Sequence, residues 1–309
     1  MTVQERPAAP EESAKRDESA ATQLVWKNVA ILSFIHLSAF YGLYLLLTRK
    51  CMLWTAIYLW VPYTIAGLGI TAGVHRLWSH RAYKASFGLR VFLMIANCMA
   101  MQTSIYEWSR DHRTHHKFSD TNADPYNSQR GFWFSHMGWV VRRKHPDVVR
   151  KGRGVDTSDL EADCVVTFQR KYYVVLALFF GMFVPSVIPL LWNESLAYSF
   201  LITMFRYAAS LHQTWLVNSA AHMFGYRPYD KNIRPRENVF VSWVTIGEGF
   251  HNYHHTFPQD YRASEYGFSL LSFTTMFIDC CSWLGLATAC KPARKEMIKQ
   301  RRMRTGEHD

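Results

Sequence analysis

The chain is poor in cysteine: six in 309 residues, with no Cys-x-x-Cys pair. Cys51, Cys98, Cys164, Cys280, Cys281 and Cys290 do not form a secreted disulfide framework, so buried thiols in a reducing compartment are expected. Acylation of the Cys280-Cys281 couple at a membrane interface is the less favoured use. Acidic residues are also scarce, 24 against 35 Lys and Arg, which gives a net charge of +11 and a pI near 9.4. Such a balance suits nucleic acid, an anionic membrane or an anionic substrate. No zinc finger, RRM signature or basic heptad is present, so nucleic acid is not expected. The opening "MTVQERPAAPEESAKRDESAATQ" lacks an apolar h-region, so it does not read as a cleaved signal peptide. Residues 1–24 read as a disordered cytosolic arm. No internal repeat of fixed period occurs.

What is abundant is apolar sequence. Hydrophobic residues make up 49% and aromatics 15%, in long blocks that alternate with charged ones, as in integral membrane proteins. A spanning helix needs about 20 apolar residues. Four stretches meet that length, at 29–48, 52–73, 172–192 and 196–217. The fourth carries Arg206 and His212, and ionisable groups within a span usually face the bundle interior. Pro185 and Pro189 predict an irregular third span. Only "RKC" separates the first two and "NES" the last two, so each pair is a tight hairpin. The expected architecture is all-α: four transmembrane helices in two hairpins under a cytosolic helical cap, with the membrane domain over 25–290 and a basic tail over 291–309. The middle and C-terminal regions hold most of the Lys and Arg, which places them and both termini in the cytosol. The mixed segments 87–108 and 266–287 read as membrane-surface helices, with further spans as the alternative. The sequon at Asn193 stands in so short a turn that it is expected to stay unmodified.

Nine of the 14 histidines fall into four groups on the expected cytosolic side: His75 and His80; His112, His115 and His116; His222; and His251, His254 and His255. Positions i, i+3 and i+4 share a helix face, so each His-x-x-His-His run presents three imidazoles together. Asn218 and His222 share a face too. His75 and His80 are five apart and require a helix end or break. Nine imidazoles are too many for one ion and fit two, of zinc, copper, nickel or iron. Glu107, Asp111, Asp120, Asp124 and Glu248 are available to orient rings and offset charge. His36, His136, His145, His212 and His308 read as structural or exposed.

The segments "GITAGVHRLWSHRAYK", "YEWSRDHRTHHKFSDTNADPYNSQRGFWFSHMGW", "NSAAHMFGYRPYD" and "GEGFHNYHHTFPQDYR" resemble the membrane acyl-CoA desaturases of the stearoyl-CoA (delta-9) desaturase type, with an insect member expected. The resemblance runs over roughly residues 25–300. Three histidine boxes in this order are shared with hydroxylases; the surrounding words are specific to acyl-CoA desaturases. The resemblance implies a di-iron centre. One iron would take His75, His80, His112, His116 and His254. The other would take His115, His222, His251 and His255, with Asn218 acting through a water. Zinc is expected to replace iron in overexpressed protein.

Removing hydrogen from two unactivated methylenes is beyond any acid or base side chain, so the metal supplies the chemistry and the protein the position. The resemblance implies a fatty acyl-CoA substrate, O2, two electrons from cytochrome b5 and its NADH-dependent reductase, and an endoplasmic reticulum membrane. It places substrate contacts on Asn28, Arg110, Asp111, Arg143, Lys144 and Trp215. The rival use of Arg143 and Lys144 is a basic strip against lipid headgroups. Thr103 departs from the family pattern, which often has Asn there. Carbon 9 is the default position of the double bond, by analogy alone. A fatty acyl hydroxylase or bifunctional enzyme on the same scaffold is the nearest rival. A b-type haem protein, needing only one or two axial ligands, and a non-catalytic lipid-binding relative are the more distant ones.

Overall fold

The computed structural model describes residues 22–267, 269 and 271–307. The arm read over 1–24 therefore lies outside the described residues except for its last three, and His308 lies outside them as well.

The first long helix, α1 (Trp26–Leu47), buries a stripe of Leu32, Ile35, Ala39, Gly42 and Leu45. Phe34, Leu37, Phe40 and Leu47 stay exposed on its other side. A helix apolar all round needs an apolar surrounding, since each such side chain left in water forgoes about 1.5–3 kcal/mol. The buried stripe meets α6 (Leu196–Met223), where Met204, Ala208, Leu211 and Trp215 close a shared core. Gly42 is the point of nearest approach: a Cβ there would sit 2.2 Å from the Leu201 carbonyl oxygen.

A second core joins α2 (Leu53–Ser79), α3 (Phe87–Ala100), α4 (Ile105–Phe118), α5 (Cys164–Trp192) and α9 (Phe273–Trp283) around Val74, Leu93, Ile105, Val166 and Ile278. Between α6 and α9 lie two short helices, α7 (Val239–Val244) and α8 (His251–Thr256), and α10 (Lys295–Thr305) ends the described chain. A two-residue antiparallel pairing, Lys84–Ala85 with Ala287–Thr288, ties the end of α2 to the segment after α9.

Among the described residues, three helices are long and apolar enough to cross a membrane: α1, α2 and α5. The fourth expected span, α6, is 28 residues long but is not among them. Its polar side chains face protein: Arg206 is buried and donates to the carbonyls of Met99 (3.2 Å) and Gly181 (2.8 Å). A helix enclosed in this way needs less apolar surface than one facing lipid. The two hairpins meet at their tips, where Glu194 accepts from the Met52 amide (2.8 Å) and the Thr55 hydroxyl (2.7 Å).

Three expectations are corrected. Residues 87–108 are not one surface helix. Met101 and Thr103 adopt left-handed φ of +54° and +79°, and Ser104 caps a new helix, so α3 and α4 meet at 82°. Counted as one broken span, that pair brings the possible crossings to four. Among the described residues of 266–287, only Phe273–Trp283 is helical. The third stretch is longer than read. It starts at Cys164, and it widens to a π-helix over Phe179–Phe183 before Pro185 and tightens to 3-10 geometry over Ile188–Trp192. The two prolines cannot donate the usual bonds there.

Candidate metal centre

Four elements bring nine imidazoles together. In α4, Ser104 and Glu107 form the S-x-x-E start of a capping box, and the Ser104 hydroxyl accepts from the Glu107 amide at 3.3 Å. The helix then presents His112, His115 and His116 on one face, with Trp108 stacked on His112 at 4.8 Å. The end of α6 supplies His222, and α8 supplies His251, His254 and His255. The last stretch of α2, Gly69–Ser79, is a π-helix, and the His80 amide donates to the His75 carbonyl at 3.2 Å. That i to i+5 bond places residues five apart on one side. The break expected between His75 and His80 is thus a widened turn, with their rings 5.0 Å apart.

The rings sort into two groups. His75, His80, His112, His116 and His254 form one, and His115, His222, His251 and His255 the other; within each, the nitrogens that can bind metal all lie within 4.8 Å of one another. Nε2 atoms face each other at 2.9 Å for His75 and His254, 2.9 Å for His80 and His112, and 3.0 Å for His254 and His116. In the second group, His222 to His251 and His251 to His255 are 3.1 Å, and His115 to His255 is 3.3 Å. A hydrogen bond satisfies two nitrogens, not four or five converging on one point. A cation satisfies them all.

Charge favours the same fit. Burial, with repulsion from neighbouring rings, holds His80, His112, His116, His251, His254 and His255 well below the usual histidine range, so they present neutral lone pairs. The Nδ1 atoms of His251 and His254 are buried without a partner. Carboxylates hold other rings from behind. Glu248 Oε2 is 2.8 Å from His75 Nδ1, Asp124 Oδ1 is 2.9 Å from His115 Nδ1, and Asp120 Oδ2 is 3.4 Å from His222 Nδ1. Burial alone would push the Glu248 carboxyl up; Arg76, 2.7 Å away, and His75 outweigh it and hold it at about 2. Burial lowers His115, but Asp124 and Asp120 reverse the sign and raise it. Glu107 and Asp111 do not serve the rings. Glu107 pairs with Arg170 at 3.2 Å, and Asp111 with Arg110 at 2.9 Å and with Lys144. On α4 they sit one turn too early or on the wrong face.

A cavity of about 510 Å³ runs past both groups, within the roughly 300–1,000 Å³ usual for small-molecule sites. Its walls include Leu32, Ile35, Ile70 and Leu211, with His75, His112, His115 and His251 along one side. Asn28, Asp111, Arg143, Lys144, Trp215 and Asn218 all line it, and Arg110 reaches it only through Asp111. Asn28 donates its amide to the Val140 carbonyl at 2.7 Å. Arg143 and Lys144 are exposed beside Arg142 at the charged end.

Several lining residues carry no motif signal. Gln102 donates to Thr214 at 3.0 Å across the cavity, and Tyr126 and Trp139 pack on one another at 4.7 Å. Arg76, which anchors Glu248, follows His75 directly and could have been noticed there. Thr103 also lines the cavity, in a left-handed conformation that a β-branched residue rarely adopts. His145 is structural, accepting from the Asp147 amide at 3.1 Å.

A family model for fatty acid desaturase matches residues 50–266. An acyl-CoA desaturase of Ovis aries is 54% identical over 300 residues, which is 96% of this chain and 83% of that protein. A stearoyl-CoA desaturase of Homo sapiens is 54% identical over 297 residues, 95% of this chain and 81% of that protein. An acyl-CoA desaturase of Cyprinus carpio is 52% identical, covering 95% and 90%.

Proposed function

Because this chain belongs to the fatty acid desaturase family, we propose that its nine histidines hold a di-iron centre that inserts a cis double bond, at carbon 9, into a saturated fatty acyl-CoA. Its activity is that of an acyl-CoA desaturase. The observation that carries the di-iron reading is the convergence of five and four imidazoles on two points beside one apolar cavity. Asn218, which lines the cavity near the second group, would act through a water. Iron would supply the O2 activation that unactivated C–H bonds require.

The chain's own residues do the rest. The apolar walls desolvate and straighten the acyl chain, and the methylenes to be oxidised lie where His75, His112, His115 and His251 face the cavity. Asn28, Arg110, Asp111, Arg143, Lys144 and Trp215 would hold the thioester and CoA end. Phosphates favour the Arg143 and Lys144 end, while Asp111 keeps Arg110 and Lys144 in place. Glu248, Asp124 and Asp120 fix ring orientation. The reaction consumes one O2, two electrons and two protons per double bond and releases two waters. We assign the electrons to cytochrome b5 and its reductase, for which the basic face is the complement. The setting is the endoplasmic reticulum, with four crossings (α1, α2, α5 and α6) and both termini cytosolic. Protease added to sealed microsomes should clip both tails.

The test is expression in yeast that lacks its own desaturase, without unsaturated fat, with the new double bond located by mass spectrometry. Growth with a 9-monoene is expected. A hydroxylated acyl product in its place would replace desaturation with oxygen transfer.

A further inference from the structure

Not every ring of the metal centre faces the cavity. His75, His112, His115 and His251 line it and are buried, and His222 and His254 are buried behind them. His80, His116 and His255 do not line it, yet each is partly exposed. Their open surface therefore faces the outside of the protein. Two of the three belong to the five-ring group and one to the four-ring group. His116 and His255 stack at 4.1 Å with their planes 16° apart, and His80 lies edge-on to His116 at 4.5 Å. The contact between the two groups thus comes to the surface at one patch.

The surface beside this patch is basic. Lys117 follows His116, and its ammonium shares the Phe118 ring with that of Lys151, at 5.6 and 5.7 Å from the centroid. Arg81 follows His80, and the Lys291 ammonium donates to the Arg81 carbonyl at 2.9 Å. Carboxylates cancel part of the charge. Asp156 and Asp159 take Arg81, Asp159 also takes Arg113, and Asp147 takes Arg150. Among the described residues Lys117, Lys151 and Lys291 form no ion pair, and their ammonium groups contact a ring or a carbonyl instead. All three are exposed. Partly exposed Phe118, and Phe257 and Pro258 just after His255, add apolar surface. A charged rim with a small apolar centre is the make-up of a protein interface. The basic end of the cavity, at Arg143 and Lys144, is given to the CoA phosphates, so this second basic surface is left for another partner.

We propose that the stacked His116–His255 pair, with Lys117, Lys151 and Lys291 beside it, is where the electron donor docks: a small haem protein with acidic side chains round an exposed haem edge. This inference rests on the desaturase reading, which needs two electrons per double bond, and adds where they enter. Electron transfer weakens steeply with distance, so the donor belongs where the centre comes nearest to the outside. Every other ring is covered by protein or faces the cavity that the acyl chain fills. In each docking a ferrous haem becomes ferric and one electron enters the centre by way of the exposed rings. Two dockings in turn supply the two electrons. His116 belongs to one group and His255 to the other, so a single docking site serves both. Redox encounters of this kind are small, below about 1,200 Å², and charge complementarity makes them fast and sensitive to salt.

The test uses the full chain in lipid nanodiscs, with the soluble haem domain of cytochrome b5 as the probe. Binding is read on zinc-loaded protein, in which no electron moves. Lys117→Glu, Lys151→Glu and Lys291→Glu should each weaken it by about 10-fold at low salt, the cost of setting like charges together. Metal per chain and stearoyl-CoA affinity should stay as in wild type. Wild-type binding should weaken as salt rises, and saturating stearoyl-CoA should not displace the haem domain. With iron-loaded protein, stopped-flow absorbance should show oxidation of a dilute ferrous haem domain slowed by the same factor in each variant. Lys299→Glu combined with Arg304→Glu reverses charge on exposed positions of α10 and should leave binding unchanged. Wild-type affinity in all three lysine variants, loss confined to the α10 variant, or displacement by stearoyl-CoA would overturn the docking patch and leave the desaturase reading. Wild type that oxidises the haem domain but makes no alkene from stearoyl-CoA would overturn the desaturase reading and leave the patch.

Discussion

The two imidazole groups differ in what stands behind them. The group of His75, His80, His112, His116 and His254 has five rings and one carboxylate, Glu248, which is itself neutralised by Arg76. The group of His115, His222, His251 and His255 has four rings and two carboxylates, Asp124 and Asp120. The first is a set of five rings whose one carboxylate is itself paired with a guanidinium. The second is short of one ring, richer in negative charge, and flanked by Asn218 on the cavity wall. A metal in the first would be held by five rings; a metal in the second would be held by four rings with two carboxylates behind them.

The sharpest way to break this comparison is to remove a ring from the poorer group. His115→Ala leaves three imidazoles and removes the ring that Asp124 holds. Product should be lost altogether, and metal per chain should fall from about two to about one, because the five-ring group keeps its full set. Metal analysis and product assay on the same membrane preparation check this. Two metals retained with activity would remove His115 from the ligand set.

Carboxylate variants sharpen the comparison at a smaller scale. Glu248→Gln and Asp124→Asn should each weaken metal binding by about 10–100-fold, the usual cost of losing an orienting partner. They should part in stability. Glu248→Gln also leaves Arg76 buried without its counter-ion, a loss of about 3–5 kcal/mol. Asp124→Asn strands no guanidinium and keeps one of its two backbone acceptances, from Asp120 at Oδ2 (2.8 Å) or from Tyr126 at Oδ1 (2.9 Å), because its amide has a single acceptor oxygen. Thermal unfolding of the metal-free variants should rank Glu248→Gln well below Asp124→Asn. Equal unfolding temperatures would show that the two carboxylates do the same work.

Much of the site was legible because helical spacing is local. The two His-x-x-His-His runs announce their shared faces from i, i+3 and i+4 alone. The His75 and His80 pair was harder to read, because a π-helix has no such signature and spacing five reads as a break. The carboxylates divide in the same way: Asp124 and Glu248 reach their rings through loops, whereas Glu107 and Asp111, nearer in sequence, turn to Arg170, Arg110 and Lys144. The helix content was plain from the apolar runs. The bend at residues 101–104 was not, since left-handed Met101 and Thr103 are set by packing and neither residue type favours that conformation. His36, His136 and His212, joined through their ring nitrogens at 3.1 and 2.9 Å, read one by one as isolated rings because 76 to 176 positions of sequence separate the partners.

The smallest expected effect lies behind the five-ring group. Asp159 receives Arg113 at 2.7 Å and Arg81 at 2.7 Å, and these neighbours of His112 and His80 hold the two ligand-bearing segments together. Arg113 also donates to the carbonyls of Trp78 and Ser79 at the end of α2. Burial raises the Asp159 carboxyl, but the two guanidiniums outweigh it and hold it below its ordinary value. A carboxyl lowered in the folded state contributes stability above its unfolded pKa, near 3.9, and that contribution is lost as pH falls through the folded value. Asp159 is a third exposed on its side chain, and water screens the pair, so Asp159→Asn should cost no more than about 1 kcal/mol at neutral pH. The cost should shrink as pH falls below 4, and it disappears only once pH passes the lowered folded value at which the wild-type carboxyl is itself protonated. Metal affinity should fall less than in Glu248→Gln, since Asp159 touches arginines and not a ligand ring. Unfolding of wild type and variant at pH 7 and at pH 3 measures the difference. A gap that widened on acidification would mean that Asp159 does not hold these segments through its charge.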